Sequence, residues 1–310
     1  IFFITWYFLT RNMAKAKNLI ELLNSKPIVK VCGAYDAMSA KLVEFHDFDA
    51  VWAGSFAISA IHNVPDASIL TMTEFFNAAS TMAHACEIPV IADCDTGYGD
   101  ATNVRHMVKK YENAGIAGIC IEDKTFPKQN SLLENGNNQL LSEKDFVAKI
   151  LAANEAKQNN AFTIIARVEA LISGIGMEQA LKRAYAYEKA GADLILIHSK
   201  KITPEEIFEF SDSWKGSAPL VVIPTTYYSV NVDELIEHKI KMVIYANQTL
   251  RAAHFALSKL LKQMKNANNM SQLQNQMSSM EDIFKLQEMY GVKSQEKSIE
   301  EKLRKLGYIS

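Results

Sequence analysis

Apolar and β-branched residues fall in short runs along the chain, and the stretches between them repeat apolar positions with a helical period. The runs predict strands over Ile28–Cys32, Asp49–Gly54, Pro89–Asp95, Gly118–Asp123, Phe162–Glu169, Asp193–Ser199, Leu220–Thr225 and Met242–Ala246. The spacing between them predicts helices over Met72–Cys86, Thr102–Ala114, Ser142–Gln158, Met177–Ala190 and Thr203–Ser213. Two helical stretches run into closely similar phrases, Asn113-Ala114-Gly115-Ile116-Ala117-Gly118 and Lys189-Ala190-Gly191-Ala192-Asp193. In each, a glycine stops the helix and a strand begins at once. Eight strands, each followed by a helix, predict an α/β chain folded as a closed (β/α)₈ TIM-type barrel. The alternative is an open doubly wound sheet, but no G-x-G-x-x-G follows an early strand, which argues against its dinucleotide-binding form.

The ends of the chain read differently. Residues 1–12 open with an apolar, aromatic run, Ile1–Leu9, too short to span a bilayer and without the basic start or cleavage site of a signal peptide. They read as a segment upstream of a start at Met13. The barrel is expected over residues 13–265. Beyond it, Gln263–Met280 is rich in Asn, Gln, Ser and Met, and Glu281–Gly307 predicts one charged helix in a C-terminal helical tail, residues 266–310.

Composition changes this picture little. Hydrophobic residues make up 48% of the 310, and the formal net charge is −2. That is ordinary globular composition, with no basic field for nucleic acid or an acidic membrane and no apolar stretch of spanning length. Cys32, Cys86, Cys94 and Cys120 form no C-x-x-C pair, which excludes the usual zinc motifs and fits buried thiols in a reducing cytoplasm.

Catalytic groups of parallel barrels stand at the C-terminal strand ends. There the third strand carries Asp93 and Asp95, which a period of two sends to one side. The fourth carries Glu122 and Asp123, the fifth Arg167 and Glu169, the sixth His198, and Asp66 lies in the loop after the second. Crowded carboxylates repel one another unless a cation intervenes, and hard oxygen donors select Mg²⁺, Ca²⁺ or Mn²⁺. Arg167 and His198 beside them suit an anionic substrate. The loop after the fourth strand, from Asp123 to Gln139, is long enough for a lid, and its Lys124, Lys128, Asn130 and Ser131 offer donors to an anion.

The lid phrase Glu122-Asp123-Lys124-Thr125-Phe126-Pro127-Lys128-Gln129-Asn130-Ser131 resembles that of the phosphoenolpyruvate mutases in the isocitrate lyase superfamily. Asp93-Cys94-Asp95-Thr96-Gly97-Tyr98-Gly99 resembles the superfamily's metal-binding stretch; Arg167-Val168-Glu169-Ala170, His198-Ser199-Lys200-Lys201 and Pro224-Thr225 with Tyr227-Tyr228 also match, and together the likeness covers residues 27–260. The resemblance implies Mg²⁺, with Mn²⁺ as a substitute, held directly by Asp93 and through water by Asp95, Glu122 and Asp66. It implies that Arg167 and His198 hold a phosphoryl group, that Lys128, Asn130 and Ser131 approach from the lid, and that Trp52 walls the site. Backbone donors of Gly54, Ser55 and Phe56 would bind substrate oxygens. This order departs from the superfamily's usual Ser-Gly-Leu, which shifts or removes a serine hydroxyl. The implied reaction interconverts phosphoenolpyruvate and phosphonopyruvate, forming the P–C bond of phosphonate biosynthesis. The implied assembly is a homodimer or homotetramer that exchanges the last barrel helix, Gln248–Met264.

Three other readings stand beside it. Phosphonopyruvate hydrolases share most of these residues but typically carry Thr where this chain has Asn130. Carbon–carbon lyases acting on 2-methylisocitrate-like acids carry a lid cysteine, and no Cys lies between Asp123 and Leu141. A non-catalytic barrel scaffold would not need the acids, Arg167, His198 and lid together.

Overall fold

The computed structural model describes residues 15–309, so the segment 1–12 lies outside the described residues. After a helix over residues 15–25 (α1), the strands are β1 Val29–Ala34, β2 Ala50–Ala53, β3 Val90–Asp93, β4 Gly118–Glu122, β5 Thr163–Val168, β6 Leu194–Ile197, β7 Leu220–Val222 and β8 Ile240–Tyr245. Each pairs in parallel with its sequence neighbours, and β8 returns to β1, closing the barrel. All eight predicted strands form, and the open-sheet alternative is excluded.

The helices around the barrel are α2 Ala37–Phe45, α3 Ser55–Ile61, α4 Met72–Ala85, α5 Ala101–Asn113, α6 Glu143–Ala156, α7 Met177–Lys189, α8 Glu205–Ser213 and α9 Val232–Glu237. The two glycine stops work as the sequence implies. Gly115 (φ +82°) and Gly191 (φ +97°) take the left-handed conformation past α5 and α7. Ile116 N–H then donates to Tyr111 O and Ala192 N–H to Tyr187 O, so the chain turns straight into β4 and β6.

Strand alternation sorts the side chains. Outward residues such as Val90, Ala92, Ile119, Ile121, Ile164 and Ile195 pack with the helices. Inward residues, among them Val31, Trp52, Ile91, Cys120, Ile165, Leu196, Val221 and Ile244, fill the barrel as a second apolar cluster. All four cysteines are buried free thiols.

The chain forms two compact units that divide between Leu250 and Arg251. The second includes most of α10 (Gln248–Met264), a 3₁₀ turn over Ser271–Gln276, α11 (Met280–Leu286) and α12 (Met289–Lys305). The single charged helix expected over Glu281–Gly307 is thus two, separated where Glu288 adopts φ +55°. α10, α11 and α12 bury none of their residues. No helix among the described residues is long and apolar enough to cross a membrane.

Candidate active site

The inward positions that are apolar lower in the barrel become charged at its C-terminal end. Two residues beyond Ile91, Cys120, Ile165 and Leu196 come Asp93, Glu122, Arg167 and His198. Register places Glu122 directly beside Arg167 across β4 and β5. Arg167 Nε lies 3.4 Å from Glu122 Oε2 and donates to Glu169 Oε1. His198 Nδ1 is 2.8 Å from both Arg167 Nη2 and Glu169 Oε1. All four of Glu122, Arg167, Glu169 and His198 are buried.

A second group forms where the β2 loop meets the lid. Lys128 Nζ lies 2.6 Å from Asp66 Oδ1 and 3.1 Å from Asp95 Oδ1, while Asn130 Nδ2 donates to Asp66 Oδ2 at 2.7 Å. Asp93 accepts from Ser55 Oγ at 3.0 Å. Asp66, Asp93, Asp95, Lys128 and Asn130, far apart in the chain, therefore converge through direct or shared contacts.

Burial dominates at Asp93 and Asp95. It pushes the Asp93 carboxyl up, against the pull of Lys128 and Arg167, and pushes Asp95 up to about 7. Burial works against the Lys128 and Arg167 charges too, but the surrounding carboxylates outweigh it and hold both above their usual ranges. Glu169 goes the other way from the acids of the second group: burial is overcome by Arg167 and His198, which hold it well below the usual carboxylate range. Burial and the neighbouring Arg167 lower His198 and favour the neutral ring.

The lid runs between Asp123 and Leu141 and is clamped at both ends. Thr125 N–H donates to Gln139 O and Leu141 N–H to Asp123 O. The buried Asp123 carboxylate accepts from Glu169 N–H (2.8 Å), Arg183 Nη1 (3.0 Å) and Tyr187 OH (2.6 Å). Two expectations for the lid need correction. Lys124 is buried, and its ammonium donates to Gln129 O, Ser131 Oγ and Asn138 Oδ1, so it braces the lid instead of reaching an anion. Ser131 Oγ donates to Glu169 Oε2 at 2.6 Å and accepts from Lys124 Nζ and Arg167 Nη2. A hydroxyl has one proton and two lone pairs, so Ser131 has nothing left for a substrate in this arrangement. The sequence places Glu169 beside Arg167 at the end of the fifth strand, but gives no sign that it would contact Arg167, His198 and the lid together.

On the other side, Gly54 is the N-cap of α3, and the N–H groups of Ser55 and Phe56 lie in its first turn, where no intrahelical carbonyl reaches them. A Cβ on Gly54 would stand 3.0 Å from Trp52 Cδ1, so glycine lets the buried Trp52 indole lie against the start of this helix. The shifted serine has a use of its own, the hydrogen bond to Asp93.

The donor set fits a hard divalent ion. Glu122 Oε1 is buried without a hydrogen-bond partner, and Asp95 Oδ1 has only its ion pair with the Lys128 ammonium. Among the described residues no three His, Cys, Asp or Glu side chains converge as a complete metal cage. A few carboxylates with room for water and substrate oxygens is the mode that Mg²⁺ prefers.

A closed eight-stranded barrel with paired acids and cations under a lid defines a class of enzymes acting on small anions at the C-terminal strand ends. Residues 19–265 match the sequence model described as phosphoenolpyruvate phosphomutase, and the chain belongs to that family. The phosphoenolpyruvate phosphomutase of Tetrahymena pyriformis is 38% identical over 278 residues, 90% of this chain and 92% of the relative. The crystal structure of phosphoenolpyruvate phosphomutase from Streptomyces platensis subsp. rosaceus superposes with a TM-score of 0.90 at 42% identity, covering 91% of this chain and 98% of that one. A phosphonopyruvate hydrolase in complex with oxalate and Mg²⁺ superposes with a TM-score of 0.85 at 38% identity, covering 90% and 97%. Overall likeness therefore leaves the mutase and the hydrolase activities to be separated by individual residues.

Proposed function

We propose that this chain is a mutase interconverting phosphoenolpyruvate and phosphonopyruvate, an isomerase that moves a phosphoryl group between oxygen and carbon of one pyruvyl unit. The observation that carries the reading is Asn130, fixed by Asp66 at the inner edge of the lid, where the hydrolase pattern has Thr. Asp93, Asp95, Glu122 and Asp66 would hold Mg²⁺, which supplies positive charge to the pyruvyl oxygens when bound. Arg167 and His198 donate to the phosphoryl oxygens as charge spreads over them. The amide of Asn130, with one hydrogen on Asp66 and the other free, keeps the phosphoryl group facing the pyruvyl unit, and Lys128 adds charge from the same side. First-turn N–H groups of Ser55 and Phe56 bind carboxylate oxygens, and Trp52 closes the floor. The lid excludes water, which would otherwise capture the phosphoryl group and give phosphate and pyruvate.

The unburied α10 supports a homo-oligomer that exchanges this helix, and the four free thiols support a cytoplasmic enzyme. The test is ³¹P NMR of the protein with Mg²⁺ and phosphonopyruvate. Phosphoenolpyruvate is the expected product, and phosphate as the main product would make the chain a hydrolase. Asn130→Thr is expected to slow isomerisation at least tenfold, about 1.4 kcal/mol in barrier, and to raise the share of phosphate.

A further inference from the structure

Glu169 is fully buried, yet nothing in the proposed reaction uses it directly. Its two oxygens are divided between two parts of the site. Oε1 accepts from Arg167 Nε and lies 2.8 Å from His198 Nδ1, the two groups that face the phosphoryl position. Oε2 accepts from Ser131 Oγ of the lid, and the lid's Lys124 ammonium stands 3.8 Å away. Its own backbone N–H donates to Asp123, the residue on which the lid begins. Ser131 also receives a hydrogen bond from Arg167 Nη2, which closes a ring of contacts through Ser131, Glu169 and Arg167.

We infer that Glu169 is a positioning residue that couples the seating of the lid to the orientation of Arg167 and His198. The inference deepens the mutase reading and rests on it. The physical argument is one of satisfaction. A buried carboxylate needs most of its lone-pair sites filled, and here Oε2 accepts its hydrogen bond from Ser131 of the lid, with the Lys124 ammonium adding charge from 3.8 Å. An unseated lid leaves Oε2 without its closest donor, and the carboxylate is then free to turn and take Arg167 and His198 with it. The phosphoryl-holding groups are thus set for chemistry only under a closed lid, when water is excluded. The ring also explains why the lid carries Lys124 and Ser131 facing inward although neither has a free donor for substrate.

The experiment is a double-mutant cycle of Ser131→Ala and Glu169→Gln in the full chain with Mg²⁺ and phosphonopyruvate. It reads kcat, KM and the phosphate share of product by ³¹P NMR. Ser131→Ala is expected to lower kcat about tenfold with little change in KM and to raise the phosphate share; Ser131→Thr, which keeps a hydroxyl, restores most of both. Glu169→Gln is expected to lower kcat a hundredfold or more. The double variant is expected within about threefold of Glu169→Gln alone, since either change already breaks the ring. Losses that multiply in the double variant, or wild-type kcat and product ratio in Ser131→Ala, overturn the inference. If Glu169→Gln does not fold by circular dichroism, the contrast of Ser131→Ala with Ser131→Thr decides alone, and equal behaviour of the two overturns it. Wild-type protein that yields only phosphate defeats the mutase reading separately. The cycle is then read on phosphonopyruvate consumption and still decides the coupling.

Discussion

The two ends of this barrel use acidic residues for different purposes. At the N-terminal end each acid accepts backbone N–H groups of the chain entering a strand, and Asp49, Asp193 and Glu44 each also pair with one lysine, Lys26, Lys157 and Lys41. Asp49 takes Lys30 N–H, Asp193 takes Ile164 N–H, Glu112 takes those of Gln158 and Asn159, and Glu44 takes those of Glu87 and Ile88. Several remain partly exposed, as with the Asp193 side chain at 30%. At the C-terminal end Asp66, Asp93, Asp95, Glu122 and Glu169 crowd together and accept few backbone donors, and all but Asp93 pair with Lys128 or Arg167. An acid satisfied by N–H groups is a staple for the fold. Acids packed against one another store repulsion that only cations relieve, and that repulsion is what lets them hold a metal or an anionic substrate's counter-charge.

The comparison is most strongly tested at Arg167. Arg167→Met keeps an unbranched apolar stem but takes the guanidinium away from buried Glu122 and Glu169. We expect a loss of about 3–5 kcal/mol in urea unfolding together with loss of turnover. An unfolding midpoint equal to wild type would show that the C-terminal acids are not held by this pairing. Next, Asp93→Ala should remove turnover by at least about three orders of magnitude, ~4 kcal/mol in barrier. Asp95→Ala should leave a measurable remainder that needs more Mg²⁺. In metal-free buffer neither should lower the thermal midpoint, because each removes a repelled carboxylate. A clear fall in that midpoint for both would mark these acids as staples like those of the opposite end.

Lys149 gives a smaller, pH-dependent effect. Its ammonium, on α6, donates to Thr96 O in the loop that carries Asp95, and burial draws its pKa from 10.5 down to about 8. Between those values the unfolded chain holds a proton that the native chain has released, so the native state gains stability as pH rises through the window. Below about pH 8 both states are charged and the full cost of burial stands. The thermal midpoint of wild type should therefore gain on that of Lys149→Met between pH 8 and 10, and a constant difference would refute the assignment. The smallest effect belongs to the N-terminal end. Lys239 precedes β8 with φ +57°. A left-handed residue costs roughly 1–2 kcal/mol, and glycine's chain entropy offsets about 0.5–1 of it. Lys239→Gly should raise the midpoint by a few degrees at most, with kcat unchanged; a fall in the midpoint would show the strain to be absent.

Much of this was legible in the chain itself. The alternation that makes Ile165 inward and Ile164 outward also sends Arg167 and Glu169 to one side, because strand period is a property of the backbone and needs no partner. Gly115 and Gly191 announced the helix ends, since few other residues take that conformation cheaply. The lid phrase pointed to its family, and Asp66, Asp93, Lys128, Asn130, Arg167 and His198 do meet around one site. Other features could not be read this way. The division of the tail at Glu288 rests on one backbone angle that its composition does not signal. Whether Lys124 and Ser131 face a substrate or the protein depended on which groups stood within hydrogen-bond reach, and those come from β5 and the far end of the lid. Residue types, spacing and strand order were determined by the sequence alone. The pairing of Glu169 with both Arg167 and Ser131, and the burial that drives the Asp95 carboxyl up while Glu169 stays ionised, were decided only by tertiary structure, because hydrogen-bond partners and desolvation depend on what the rest of the chain brings alongside.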